Sequence, residues 1–230
     1  MRSRFLLPLL TALFALSACA PLTVETPPPA PQAIRVAYSP TLRPWADALH
    51  ACAGQTPEMA LVTEEVSPAA PDFEEADLTL WFGEPPQGFA GAAFSLGVDE
   101  IVIITGADLN FSPVTPAQLQ EIYTGAASGL QPWTYPEGSD LRSIFDEAVL
   151  AGASPSPDVM LAPSPAAMLE AVAADPQAVG YVPKSWLAAD VQTAASDSAL
   201  REMLAQPVLA LTAAEPQGTL RDFLACLQKK

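Results

Sequence analysis

"EIVIITGADLNFSPVTPAQLQEIYTGAASGLQPW", residues 100–133, sets a strand, a turn, a capped helix and a tryptophan in close succession. Its first residues, 100–105, are rich in isoleucine and valine, the composition of a buried strand. Thr115 then precedes Pro116. A hydroxyl cap stands there before a proline whose missing N–H is harmless at the first helical position. "AQLQEIYT" carries its apolar residues at helical spacing, and Gly125 supplies the stop. A buried strand that feeds a helix is the repeating unit of an α/β protein.

The same alternation extends outward in both directions. Strands are expected at 34–38, 59–66, 77–82, 179–183 and 207–212. Helices are expected at 41–53, with Thr41 as a possible cap and Pro44 in the first turn, and from Gly138 or Ser139 to about 151. Two more are expected from Ser164 and Pro165 to about 175, and over 215–227. The pattern predicts an α/β fold with a largely parallel sheet or sheets, and no internal repeat is visible.

Bulk properties remove several functions. Half of the 230 residues are hydrophobic, ample for a core, but the formal charge is -16. Phosphate-backbone binding needs clustered lysine and arginine, and there is no basic stripe, so nucleic acid is not an expected partner. Three cysteines and one histidine leave little for a transition-metal site, and no metal or other cofactor is implied. His50 reads as a surface residue of its helix. No G-x-S-x-G elbow accompanies it, so a serine hydrolase is not supported and the chain is not expected to be an enzyme. Glu64, Glu65, Asp72, Glu74 and Glu75 read as a solvated acidic face, without the spacing of a calcium loop.

The first residues carry a different signal. Two arginines within residues 1–4 precede an apolar run at 5–16, too short to span a bilayer, which is the pattern of a secretory leader over residues 1–18. Leu16, Ser17, Ala18 and Cys19 then resemble the lipobox of bacterial lipoproteins, in which the cysteine sulfur receives the lipid. The expected mature chain begins at Cys19, lipid-anchored to the outer side of the cell membrane. Residues 19–33, with their run of prolines, read as a stiff tether.

The order of the elements carries a further resemblance. In residues 100–133 the positions Leu119, Ile122, Tyr123, Gly125 and Trp133 are similar to the corresponding segment of phosphate-binding proteins of ABC importers. "AAMLEAVAADPQAVGYVP", residues 166–183, resembles a second segment of that family. The likeness covers about 34–228 and implies a two-lobed α/β structure of the type II periplasmic-binding fold. One lobe would take 34–104 plus 205–230, and the other 105–204. It further implies a monomeric receptor that captures a small polar or anionic solute, phosphate-like, for an ABC permease. In this fold the terminal helix returns to the first lobe, which implies a disulfide between Cys52 and Cys226 outside the cytoplasm.

The resemblance also assigns a candidate ligand site. "YPEGSDLRSIF", residues 135–145, aligns with the family's phosphate loop at Gly138, Ser139, Arg142 and Phe145. It departs at Tyr135, Asp140 and Leu141, where the family has an arginine, a glycine and a threonine. Ser139 and nearby N–H groups remain suitable donors, whereas Asp140 puts a carboxylate where an anion would lie. The alternative is that Ser139 or Asp140 only caps a helix. "AYSPTLRPW" offers Ser39 and Thr41 after a strand, as ligand donors or as helix caps. "LWFGEPP" places Glu84 where the family uses a carboxylate to accept a proton from its ligand, or else leaves a solvated charge.

Overall fold

A computed structural model describes residues 30–230 except 57, 70–72, 74, 108, 110, 112 and 188–190. The leader, Cys19 and the tether through residue 29, with Asp72 and Glu74, lie outside the described residues, and Gln32 and Ala33, expected in the tether, already belong to the first strand.

The chain opens with β1 (Gln32–Tyr38), a 3-10 turn (Pro40–Trp45) and α1 (Ala46–Ala53). Pro44 falls in the 3-10 stretch, so the expected helix 41–53 is split and only its second half is α-helical. Next come β2 (Met59–Glu65), β3 (Leu78–Phe82) and the long β4 (Ala92–Thr105). α2 (Pro116–Tyr123) follows, then β5 (Gln131–Thr134) and α3 (Asp140–Phe145). α3 continues into a π-helical turn, Asp146–Leu150, which ends on Ala151 at a φ of 49°. β6 (Met160–Leu161), α4 (Pro165–Ala174), β7 (Ala178–Pro183), β8 (Gln192–Thr193), α5 (Ser198–Leu204), β9 (Ala205–Thr212) and α6 (Gly218–Leu227) complete the order.

Local chemistry accounts for the helix starts. Thr115 forms a capping box: its Oγ1 accepts from the Gln118 N–H, and Gln118 Oε1 accepts from the Thr115 N–H. Ser164 and Asp197 cap α4 and α5 by accepting from the N–H groups of Ala167 and Leu200. α4 lies so close over β7 that a Cβ on Gly180 would fall 2.6 Å from the Met168 Sδ, so a larger residue there would force Met168 and Val172 to shift.

The sheet runs in the order β2-β1-β3-β9-β4-β7-β5-β6, with β8 beside β4. β1 pairs parallel with β2 and β3, and β5 pairs parallel with β6 and β7. Between these groups, β9 and β4 pair antiparallel with each other and with their neighbours β3 and β7. The sheet is therefore mixed rather than largely parallel. Two parallel groups of strands are joined by two long strands that cross between them. The N-terminal half of β4 was not expected as strand. It alternates in exposure, and its register slips between Ser95 and Gly97, so no continuous apolar run marks it.

Tyr123, Tyr135, Phe145 and Tyr181 form an aromatic cluster in the core beneath α3, with Phe145 and Tyr181 stacked at 4.0 Å between ring centres. α1 packs on α6 and is bonded to it by the Cys52–Cys226 disulfide, with Cα atoms 5.8 Å apart. Among the described residues no helix is long and apolar enough to cross a membrane.

Candidate functional site

The turn after β1 and the start of α3 meet, although about a hundred residues separate them in sequence. Ser39 Oγ donates to Asp140 Oδ2 at 2.7 Å, and Thr41 Oγ1 donates to Asp140 Oδ1 at 2.7 Å. The Leu141 N–H adds a third bond to Oδ1 at 2.8 Å, and Ser139 Oγ lies at 3.5 Å from the same oxygen. Ser39, Thr41 and Asp140 are all buried, so the carboxylate is held here with little exposure to water. Short, charge-assisted donors offset that desolvation.

Neither hydroxyl of the β1 turn caps its own helix, and Ser139, at the N-cap position of α3, makes no side-chain cap bond. Both β1-turn hydroxyls are turned across to Asp140 instead. Gly138, just before the loop's serine, has a φ of 84°, and a Cβ there would fall 2.7 Å from that of Ala69. Left-handed backbone and close contact both require glycine.

Arg142 points along its own helix. Its Nε donates to Asp146 Oδ2, and its Nη1 donates to the Tyr135 carbonyl at 2.9 Å. The guanidinium thus braces the loop 135–140 against the next turn. Tyr135, where the family pattern has an arginine, is buried and donates to the Tyr181 carbonyl at 2.8 Å. Burial away from water raises the phenol of Tyr135 well above its ordinary value, with the neighbouring Tyr181 adding to the shift. Tyr123 and Tyr181 are raised by burial in the same way.

Two wide openings flank Asp140. One is a cavity of about 790 Å³ whose lining includes Trp81, Glu84, Gly138, Asp140, Ile144 and Glu147. Glu84 is exposed at its rim, and the lining holds three carboxylates with no lysine or arginine. The other, of about 330 Å³, is lined by Thr41, Glu65, Tyr135, Gly138, Ser139 and Asp140 among others. Ser39, Thr41, Gly138, Ser139 and Asp140 are thus brought together. Glu84 shares a cavity with Asp140 without bonding to it, and Arg142 is engaged elsewhere.

Trp186 was not anticipated in this neighbourhood. Its Nε1 donates to the Thr41 carbonyl at 2.7 Å, and the Arg43 guanidinium lies 5.9 Å over its ring while bonded to Glu65. Nothing in the local sequence around Trp186 marks a partner so far along the chain. Among the described residues no group of three or more histidine, cysteine, aspartate or glutamate side chains is placed to hold a metal ion.

No family model matches the chain, and no curated protein matches it in sequence. Solved structures do match its fold. An ABC-type phosphate transport receptor from Vibrio cholerae is 19% identical, with a TM-score of 0.68 over 86% of this chain and 93% of that one. A putative phosphate ABC transporter substrate-binding protein with bound phosphate, from Clostridium perfringens, is 14% identical with a TM-score of 0.71, over 85% and 93%. The CcmR regulatory domain of Synechocystis, in complex with 2-PG, is 14% identical with a TM-score of 0.66, over 86% and 96%. At such identities the likeness is one of fold. This chain has the mixed α/β, two-lobed type II periplasmic-binding architecture, which those receptors and that regulatory domain share.

Proposed function

We propose that this protein is an extracytoplasmic solute-binding lipoprotein, related in kind to the phosphate receptors of ABC importers, that captures a small polar solute without transforming it. Its lobes would be 34–104 with 205–230, and 105–204, and the ligand would lie where the β1 turn faces the start of α3. One observation carries the reading. Two hydroxyls from one segment and an N–H from another converge on a single carboxylate, a donor arrangement suited to a small anion. Ser39, Thr41, Gly138, Ser139 and Asp140 would line the site, with Glu84 at the rim and Arg142 bracing the loop. Closure of the lobes would stabilise the liganded state, and a permease would receive the solute.

A thermal-shift screen of the full chain against phosphate, sulfate, molybdate, carboxylates and amino acids tests the proposal. Binding to the native state raises the melting temperature in step with ligand concentration. At least one solute is expected to do so, and a flat response to the whole panel would defeat the reading. The anchor is tested separately: Cys19→Ala should abolish lipid labelling, and unchanged membrane retention would contradict it.

A second reading is an accessory or sensory lipoprotein that kept the fold without a transport ligand. It is favoured by Asp140, whose carboxylate already engages the hydroxyls that a solute would need. Neighbouring permease and ATPase genes would favour import over this alternative.

A further inference from the structure

We infer that Asp140 is a built-in substitute for an anionic ligand: its carboxylate latches the β1 turn to the start of α3 and keeps free oxyanions out of that position. This rests on the reading of the meeting place as the binding cleft. It narrows the ligand class, because the native site would refuse phosphate and similar dianions.

The first argument is geometric. Ser39 Oγ and Thr41 Oγ1 each reach a different oxygen of the same carboxylate at 2.7 Å, and the Leu141 N–H takes a further position at 2.8 Å. These donors are satisfied and buried with Asp140 only 8% exposed, so an incoming anion would have to displace a charge that is covalently tethered in place. A tethered group loses no translational freedom on binding, so it competes at high effective concentration. The second argument is electrostatic. An oxyanion within a few ångströms of this carboxylate is repelled in a partly desolvated site, and no lysine or arginine lines either adjoining cavity to offset it. The third is mechanical. Thr41 is held from both sides, by its hydroxyl on Asp140 and by its carbonyl, which accepts from Trp186 Nε1. Asp140 and Trp186 both belong to the span 105–204, so the bonds that a ligand would make on closure exist already without one.

The test uses the full chain, wild type and Asp140→Ala, titrated with inorganic phosphate and with acetate. Calorimetry should give no phosphate heat for wild type and measurable binding for Asp140→Ala, a gain of at least about tenfold. The variant should melt at a lower temperature than wild type, and phosphate or acetate should restore part of the loss. In small-angle scattering it should be more expanded than wild type without phosphate and compact with it. Should Asp140→Ala not fold unaided, refolding yield with and without phosphate gives the same answer. Wild type that binds phosphate as well as the variant does would overturn the inference. So would a destabilised variant that neither anion rescues, since Asp140 would then be a structural hydrogen-bond acceptor only. Failure of the solute-binding reading appears elsewhere, in a wild-type screen that finds no ligand of any charge, so the two outcomes are separable.

Discussion

At the scale of single residues, the buried carboxylate of Asp140 makes its donors matter more than ordinary surface hydroxyls. Removing one donor leaves a desolvated charge short of a partner. Ser39→Ala and Thr41→Ala are each expected to cost about 1.5–3 kcal/mol in chemical denaturation. A change below a few tenths would mean that water replaces the hydroxyl freely. Arg142→Ala is expected to act on stability, by about 1–3 kcal/mol, because it unpairs Asp146 and releases the Tyr135 carbonyl. The same substitution in an Asp140→Ala background should leave phosphate affinity nearly unchanged. A large loss of affinity there would show that the guanidinium turns to the ligand instead.

At the scale of elements, the capping box of α2 and the aromatic cluster under α3 each give a measurable consequence. Thr115→Ala removes the hydroxyl that accepts from Gln118 and should destabilise by about 1 kcal/mol, read from the denaturation midpoint. The cluster responds to alkali. Burial holds the phenols of Tyr123 and Tyr135 well above their ordinary value of 10.0. Below pH 10 the folded and unfolded chains both keep these protons, and the cluster adds no pH dependence. Above it the unfolded chain ionises first, so the unfolded state binds fewer protons and stability falls as pH rises. The melting temperature should therefore decline steeply from about pH 10 upward, with the phenolate absorbance of the clustered tyrosines appearing only as the protein unfolds. Phenolate absorbance from these groups in the folded state near pH 10 would contradict the burial argument.

At the scale of the whole molecule, the Cys52–Cys226 bond closes a loop across 174 positions and ties α6 to α1. Shortening the unfolded chain's freedom over so long a loop stabilises the fold by about 5 kcal/mol at most on the entropy model. Reduction, or Cys52→Ser with Cys226→Ser, should lower the denaturation midpoint without altering the Asp140 contacts. An unchanged midpoint after complete reduction would show that residual structure in the unfolded chain, rather than loop entropy, dominates.

What could be read from the residues alone were features whose causes lie within a few positions. The Thr115 cap, the Pro116 start and the Gly125 stop act within one helix, and the apolar runs of β1, β3 and β7 declare burial by composition. The Asp197 cap ahead of α5 is equally local. The pairing of Cys52 with Cys226 was reached only through the family resemblance, because no local pattern joins residues so far apart. The same holds for the antiparallel crossing of β4 and β9, whose pairing depends on where distant strands arrive. Above all, the meaning of Asp140 was decided by tertiary structure. The sequence showed a carboxylate in a loop that resembles a phosphate loop. Only the packing of the β1 turn against α3 put Ser39 and Thr41 within 2.7 Å of it, because a hydrogen bond depends on proximity in space and leaves no periodic trace along the chain.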